Sequence, residues 1–241
     1  AAGQGTRLRP YTDNQPKCMV PYEGKPIIDH ILEVQRECGI DDIVLIKGYC
    51  AEALDRPGTI HCENKNFATT NMVSTLFTAQ EHIVGDVLVS YTDIIYRQEV
   101  LEKLLACDAD IAITVDLDWR ALWQQRMDNP LADAETLELG EEGEVLSLGK
   151  KPKSYDDIQG QYMGLIKLTA KGSDILKSHY NSLSREAHYD GKDFPNMYMT
   201  SLLQSLIDAG HRVQSVPIRG GWLEIDCPDD MEISLSAYSA A

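Results

Sequence analysis

The sequence opens on Ala1-Ala2-Gly3-Gln4-Gly5-Thr6-Arg7-Leu8-Arg9-Pro10. Glycines adopt positive φ angles at little cost and let a ligand approach the backbone, so successive N–H groups of such a loop can surround an anion. Arg7 adds a guanidinium, which donates to phosphate oxygens as a fork. The spacing is neither the Walker pattern nor GxGxxG. Taken alone, the stretch indicates either a phosphate-binding loop or an ordinary glycine turn.

The segment after the loop favours the first interpretation. Pro16-Lys17-Cys18-Met19-Val20-Pro21 is followed by Gly24-Lys25-Pro26 and then by Ile27–Cys38. Apolar residues recur in this last stretch close to the helical period, and Gly39 ends the pattern. The sequence therefore predicts a glycine loop, a basic turn and a helix in close succession.

Together these segments resemble the signature of the sugar-phosphate and choline-phosphate nucleotidyltransferase family, in which G-x-G-T-R-L-x-P precedes P-K-x-x-x-P and G-K-P. The resemblance implies an α/β fold of the nucleotide-diphospho-sugar transferase type. This fold is a Rossmann-like, mainly parallel mixed sheet flanked by helices, with a small insertion on the substrate side. In that family a first strand precedes the glycine loop, so we expect a strand before Ala1.

The resemblance also implies roles for individual residues. Arg7 would bind the β- and γ-phosphates and help pyrophosphate leave, and Lys17 would bridge the α-phosphate and the incoming phosphate. Asn71 is also a good helix N-cap, which is an alternative role for it. The residues expected around the nucleotide are Ala2, Gly3, Gly5, Thr6, Arg7, Asn71 and Ser90.

Secondary-structure patterns agree with this fold class. In the first half, apolar runs alternate with amphipathic stretches, which favours βαβ units and a mainly parallel sheet covered on both faces. The predicted strands are Asp42–Ile46, Val87–Tyr91 and Ile111–Val115, and the predicted helices are Met72–Ile83 and Val100–Leu105.

The second half begins with a polar, acidic stretch, where Thr136–Leu139 and Val145–Leu148 predict a hairpin. No linker rich in Pro, Gly or Ser divides the chain. We therefore expect one domain over 1–241, with a nucleotide half of about 1–115 and an acceptor-side half of about 116–241. The remaining predicted elements are strands at Tyr162–Leu168, Arg212–Ile218 and Trp222–Ile225, and helices at Ser173–Leu183 and Tyr198–Ala209.

Acidic residues at two distant places suggest a metal site. Asp93 follows an apolar strand, and strand ends face the ligand crevice in open parallel sheets. Glu224 and Asp226 alternate with apolar residues, so a strand places them on one face. From spacing alone, it is equally possible that Asp93 caps a helix and that Glu224 and Asp226 face solvent. The resemblance implies Mg²⁺ bound by Asp93 and Asp226, with Glu224 acting through a water.

Further segments resemble the phosphocholine and phosphonate cytidylyltransferases in particular: Thr69–Leu76, Arg126–Leu131 and Gly160–Leu165. This resemblance implies that CTP, or another nucleoside triphosphate, donates its nucleotidyl group to a small phosphate or phosphonate acceptor. Phosphocholine and 2-aminoethylphosphonate are examples, and pyrophosphate is released. A lysine would meet the acceptor's phosphate, while aromatic rings and an acid would surround an ammonium group by cation–π and charge contacts. Core packing is an alternative for the aromatic residues. The expected acceptor residues are Lys151, Glu135, Tyr162, Tyr198 and Trp222.

Two other functions stay open at this point. The first is a sugar-1-phosphate uridylyl- or thymidylyltransferase, which shares the opening signature. The second is a non-catalytic homologue that binds nucleotides or partner proteins. The presence of Arg7, Lys17, Asp93 and Asp226 argues against the second, because a protein without the activity would be free to lose them.

Composition excludes several other classes. The chain of 241 residues carries 22 basic and 38 acidic side chains, for a net charge of −16. This charge argues against nucleic acid or an anionic membrane as a partner. No apolar run approaches the ~18 residues of a spanning helix. The six cysteines form no CxxC pair, so we expect reduced thiols and a cytoplasmic protein. A homodimer is a further hypothesis.

The basic residues are unevenly distributed. Residues 1–26 hold four basic and two acidic side chains, a net charge of +2 within an acidic chain. Small anionic substrates are therefore compatible with the overall charge, because their binding depends on a few groups in one cleft.

Overall fold

The computed structural model describes residues 1–236. Its helices are α1 (Ile27–Glu37), α2 (Met72–Thr78), α3 (Gln98–Leu105), α4 (Trp119–Arg126), α5 (Ala170–Ser182) and α6 (Met199–Asp208). Its strands are β1 (Pro21–Tyr22), β2 (Lys25–Pro26), β3 (Ile43–Lys47), β4 (Thr59–Glu63), β5 (Val87–Ser90), β6 (Ile94–Tyr96), β7 (Ile111–Asp116), β8 (Leu137–Leu139), β9 (Val145–Leu148), β10 (Gln161–Leu168), β11 (His188–Tyr189), β12 (Lys192–Asp193), β13 (Gln214–Ile218) and β14 (Trp222–Glu224).

The central sheet has four strands in the order β13-β7-β10-β5. Strands β13 and β7 pair in parallel, whereas β10 runs antiparallel to both β7 and β5. Three of the four strands therefore point the same way. The sheet is mixed, as predicted, and its one reversed strand lies in the interior of the sheet.

Helices cover both faces of this sheet. Every residue of β7 is buried, which is typical of a strand covered on both sides. Successive residues of β7 point to opposite faces: Ala112 packs in the core that includes α1 and α3, and Ile113 packs in the core that includes α6. The continuous apolar run of β7 thus follows from its position between two helical layers.

Most predicted elements agree with the structure to within a few residues, including the hairpin of β8 and β9. The helix predicted over Met72–Ile83 is the exception, because α2 ends at Thr78 and a short 3₁₀ turn follows at Gln80–His82. The tighter turn brings Ile83, which is buried, into the core beside β5 and β10. The apolar period that predicted a longer helix therefore continues through the 3₁₀ turn to the buried Ile83.

Strands β3 and β4 form a separate parallel pair. Within residues 1–236, β3 and β5 each have a strand partner on one edge only. Residues of both strands line a cavity of about 1270 Å³, which extends to the glycine loop. The strand expected before Ala1 falls outside the described residues and stays a prediction. Among these residues, no helix is both long and apolar enough to cross a bilayer.

A short antiparallel pair brings the two acidic segments together. Strand β14 pairs with β6, with Glu224 opposite Ile94. Just beyond this pair, the N–H of Ile225 donates to the carbonyl oxygen of Asp93 at 2.8 Å. Acids that are far apart in sequence therefore become neighbours through backbone pairing.

Candidate active site

The glycine loop packs directly on the basic turn that follows it. Gly5 adopts a left-handed φ of 58°, and its carbonyl oxygen accepts from the N–H of Leu8 at 3.0 Å and from the hydroxyl of Thr12 at 2.8 Å. A Cβ at Gly5 would lie 2.9 Å from the Cβ of Lys17. The position therefore requires glycine both for its φ angle and for the close approach of Lys17.

Replacement of Gly5 by alanine tests this requirement. We expect Gly5→Ala to lower the free energy of unfolding by about 1–2 kcal/mol, the cost of a left-handed non-glycine residue. Displacement of the Lys17 side chain should lower turnover as well. Chemical denaturation and a pyrophosphate-release assay measure the two effects. Gly210→Ala is the control, because Gly210 also has a positive φ, of 86°, but a Cβ there would meet nothing within 4 Å. Equal turnover of the two variants would contradict the role of Gly5.

Three carboxylates converge beside this loop. Oxygens of Asp93, Glu224 and Asp226 all lie within 4.8 Å of one another; we call these residues the acid cluster. Asp93 follows β5, and the other two residues belong to β14 and the segment after it. Carboxylate oxygens are the ligands that Mg²⁺ and Ca²⁺ prefer, so the donor set fits a hard divalent cation. The predicted grouping of these acids is therefore present in the structure.

The ammonium of Lys17 lies within the acid cluster. Its Nζ is 2.9 Å from Oδ2 of Asp93 and 2.6 Å from Oδ1 of Asp226. Only 12% of the Lys17 side chain is exposed. Three carboxylates so close together repel each other unless positive charge intervenes. Lys17 supplies that charge from within the chain.

Arg7 approaches the acid cluster from the solvent side. Its Nη2 is 2.5 Å from Oδ2 of Asp226, and 67% of its side chain is exposed. Its Nη1 is 3.8 Å from Oδ1 of Asp133, in the segment between α4 and β8. Because most of its side chain is exposed, Arg7 can turn toward a ligand without losing buried packing.

Burial and neighbouring charges have opposite effects on the pKa values of Lys17, Asp93 and Glu224. Burial lowers the pKa of Lys17, but the carboxylates of Asp93 and Asp226 outweigh it and hold that pKa above the ordinary value. Burial would raise the pKa of Asp93, yet the charge of Lys17 and a hydrogen bond from it bring that pKa below its usual value. For Glu224, burial dominates over Arg126 and raises the pKa to about 7. The site thus holds Lys17 charged and Asp93 ionised at neutral pH.

A buried ion network lies behind the acid cluster. Arg126, at the end of α4, donates from Nη1 to Oε2 of Glu224 at 2.7 Å and from Nε to Oδ1 of Asp230 at 2.8 Å. Sequence reasoning did not identify Arg126 or Asp230 as site residues. The available signal was weak: Asp230 stands in the first turn of a short helix after Pro228, where acids are common.

The residues predicted around the nucleotide all line the cavity between β3 and β5. The cavity between β3 and β5 is also lined by the acids Asp93 and Asp226 and by Lys17. Asn71 is the N-cap of α2, because its Oδ1 accepts from the N–H of Met72 at 2.8 Å. The hydroxyl of Ser90 donates to the carbonyl oxygen of Tyr91 at 2.9 Å. The nucleotide roles stay predictions for the lining residues Ala2, Gly3, Gly5, Thr6, Arg7, Asn71 and Ser90.

The residues predicted around the acceptor are more dispersed. Lys151 donates from Nζ to the carbonyl oxygen of Leu131 at 2.7 Å. Tyr198 precedes α6, and Nζ of Lys192 lies 5.5 Å from its ring centroid. Among the described contacts, neither residue reaches the acid cluster. Their acceptor roles stay predictions.

Glu135 and Tyr162 are electrostatic neighbours, because burial and then the charges of Glu135 and Asp93 raise the pKa of Tyr162. The backbone of Glu135 is fixed by the side chain of Gln161, whose Oε1 accepts from the Glu135 N–H at 3.0 Å. Burial, followed by the charges of Asp133 and Asp190, raises the pKa of Glu135. The ring of Tyr162 packs edge-to-face on Tyr91, which follows β5, with centroids 6.0 Å apart. Their acceptor roles also stay predictions.

Trp222 requires a correction. Its side chain is 1% exposed, its indole N–H donates to Oδ2 of Asp116 at 2.8 Å, and its ring packs against Trp123. The predicted contact between Trp222 and an acceptor is therefore wrong, and the residue belongs to the core. The structure places none of the six cysteines in a disulfide, and the reduced state stays a prediction.

Comparison with known proteins gives relatives for nearly the whole chain. Residues 1–153 match the model of the MobA-like NTP transferase domain family. The chain is 40% identical to a CTP:phosphoglutamine cytidylyltransferase of Campylobacter jejuni, over 98% of this chain and 97% of that protein.

Two solved structures have the same fold. A CTP:phosphocholine cytidylyltransferase from Streptococcus pneumoniae matches with a TM-score of 0.72 and 23% identity, over 96% of this chain and 93% of that one. An inositol-1-phosphate CTP transferase from T. maritima matches with a TM-score of 0.74 and 21% identity, over 99% and 91%. These matches confirm the predicted fold class. With the family match and the 40% identical relative, they show that the chain belongs to the MobA-like NTP transferase family and is a nucleotidyltransferase.

Proposed function

We propose that this protein transfers a cytidylyl group from CTP to a small phosphorylated or phosphonate acceptor and releases pyrophosphate. The observation that carries the proposal is the convergence of Lys17 and Arg7 on the acid cluster beside the glycine loop. Relatedness supports the choice of CTP, since the relative that matches at 40% identity is a cytidylyltransferase.

The acid cluster suits Mg²⁺, which is the proposed cofactor. Asp93 and Asp226 would hold the ion directly, and Glu224 would complete the site. When bound, Mg²⁺ would supply Lewis-acid charge to the phosphates of the nucleotide. Nζ of Lys17 contacts both Asp93 and Asp226, so this side chain would move away from them if the two carboxylates held the ion.

The chain's own residues would then neutralise and position the reacting groups. The attacking phosphate oxygen of the acceptor is already ionised at neutral pH, so the reaction needs no general base. Lys17, released from the carboxylates, would donate to the α-phosphate and to the incoming phosphate. Arg7 would donate to the β- and γ-phosphates and neutralise the leaving pyrophosphate. Catalysis is therefore mainly in-line positioning and charge stabilisation.

We further propose that the acceptor carries an ammonium group beside its phosphate. Three acids lie near one another in this region: burial raises the pKa of Glu135, and the charges of Asp133 and Asp190 raise it further, although Lys150 also pairs with Asp190. An ammonium placed there would relieve this repulsion. The acceptor named for the 40% identical relative, phosphoglutamine, has this chemistry, as do phosphocholine and 2-aminoethylphosphonate.

The division of labour along the chain forms part of the proposal. The nucleotide half, about 1–115, provides the glycine loop, Lys17 and Asp93. The acceptor-side half, about 116–241, provides Glu135 and Tyr162 and completes the acid cluster through Asp226.

Pyrophosphate release with a panel of substrates tests this function. We expect release with CTP and an amine-bearing phosphate, and a kcat/KM for CTP about 100-fold above that for UTP, because a site that pairs with the cytosine amino group leaves polar atoms unpaired against uracil. The acceptors to compare are phosphoglutamine, phosphocholine, 2-aminoethylphosphonate and glucose-1-phosphate. Activity confined to UTP or dTTP with glucose-1-phosphate would replace the proposal by the sugar-nucleotide alternative. No release with any pair would refute catalysis.

A further inference from the structure

The segment that carries Asp226 is held by a buried carboxylate. Oδ2 of Asp230 accepts from the N–H groups of Asp226 and Cys227 at 2.8 and 2.9 Å. Only 1% of the Asp230 side chain is exposed. These two bonds fix the backbone on both sides of the Asp226 Cα, so they determine where its carboxylate points.

A single guanidinium links this carboxylate to the acid cluster. Arg126 binds Asp230 through Nε at 2.8 Å and Nη2 at 3.3 Å, and it binds Oε2 of Glu224 through Nη1 at 2.7 Å. The Arg126 side chain is 4% exposed. One member of the acid cluster is thus oriented directly by Arg126, and a second is oriented through Asp230.

We propose that Arg126 and Asp230 are positioning residues that set the affinity of the acid cluster for a divalent cation. The inference rests on the metal-dependent transfer proposed above. A buried ion pair is weak evidence for stability, since replacement by apolar residues is often neutral. Groups that hydrogen-bond to metal-ligating residues do tune metal affinity, commonly by 10- to 100-fold when they are replaced. Arg126 and Asp230 belong to this class of residue, because Arg126 contacts Glu224 and Asp230 contacts the backbone of Asp226, and both Glu224 and Asp226 are candidate metal ligands.

Direct metal binding by the full 241-residue chain tests the inference. Mn²⁺ titration, followed by the electron paramagnetic resonance signal of the free ion, is expected to show binding about 10- to 100-fold weaker in Asp230→Asn than in the wild type. Arg126→Lys keeps the positive charge but loses the pair of hydrogen bonds from Nε and Nη2 to Asp230. This variant should therefore also weaken Mn²⁺ binding, by about tenfold.

The matched control is Asp29→Asn. Asp29 also receives a guanidinium fork, from Arg56 through Nε at 2.5 Å and Nη2 at 3.3 Å, but Asp29 is no member of the acid cluster. This variant should bind Mn²⁺ within about twofold of the wild type. Thermal melting of each variant checks that it is folded, and Arg126→Lys serves if Asp230→Asn does not fold.

A second measurement distinguishes an effect on metal affinity from a general loss of activity. The Mg²⁺ concentration that gives half-maximal turnover should rise by the same factor as the Mn²⁺ dissociation constant, while kcat at saturating Mg²⁺ falls less than about threefold. Folded Asp230→Asn and Arg126→Lys variants with wild-type Mn²⁺ affinity would overturn the inference, as would a wild type that binds no Mn²⁺. A wild type that binds Mn²⁺ without using CTP refutes only the proposed function, and the Mn²⁺ comparison still decides the inference.

Discussion

Replacement of Lys17 by methionine is expected to lower kcat at least about 100-fold, the usual loss when one charge-stabilising donor is removed from an active site. Lys17 bridges Asp93 and Asp226 in the structure, and in the proposed reaction it moves to the phosphates. The same change should tighten binding of free Mn²⁺, because the cation no longer competes with an ammonium for these carboxylates. Turnover and metal affinity therefore move in opposite directions.

Steady-state kinetics and Mn²⁺ titration measure these two effects on Lys17→Met. The control is Lys25→Met, which removes a lysine of the same opening segment that pairs with Glu33 at the surface; it should change neither quantity by more than about twofold. Near-normal turnover of folded Lys17→Met would refute the proposed mechanism. Weaker Mn²⁺ binding by Lys17→Met would refute the hypothesis that the Lys17 ammonium competes with the metal ion for the acid cluster.

Replacement of Asp226 by asparagine is expected to abolish most of the activity as well. Asp226 contacts both Lys17 and Arg7, and it is a predicted ligand of Mg²⁺. Metal ions contribute several kcal/mol of charge stabilisation, and each 1.36 kcal/mol corresponds to tenfold in rate. We therefore expect kcat to fall by about 1,000-fold, with Mn²⁺ binding lost in parallel.

The neighbouring acid Asp229 offers a matched control for this experiment. Asp229 is exposed and three residues away from Asp226, so Asp229→Asn removes the same charge from the same short segment. It should keep at least half of the wild-type kcat. Equal losses in the two variants would show that net charge near the site, and not the acid cluster, controls turnover.

Much of this fold was predictable from local patterns. The alternation of apolar runs identified β3, β5 and β7, because buried parallel strands are almost wholly apolar. The same reasoning placed Asp93 at the end of a strand and Glu224 and Asp226 on one face, and the structure joins the three.

The missed residues depend on contacts that no local pattern encodes. Asp229 and Asp230 are adjacent and look equivalent in sequence, yet one is exposed and the other is buried against Arg126, 104 residues away. Trp222 was predicted to help surround an ammonium group by cation–π contact, with core packing as the alternative. Its strand is short, however, and Asp116 takes up its indole N–H within the core. Burial of polar and amphipathic side chains is thus set by tertiary pairing.

The pairing of β14 with β6 has a consequence for how the protein matures. The ammonium of Lys17 and the carboxylate of Asp226 are 209 residues apart along the chain. For a flexible chain, closing such a loop costs about 5 kcal/mol of entropy, from (3/2)RT ln n. This cost is met only when β14 docks, so a nascent chain whose β14 has not yet been synthesised has a glycine loop but no acid cluster. The acid cluster is therefore assembled only when β14 docks onto β6, long after the glycine loop has been synthesised.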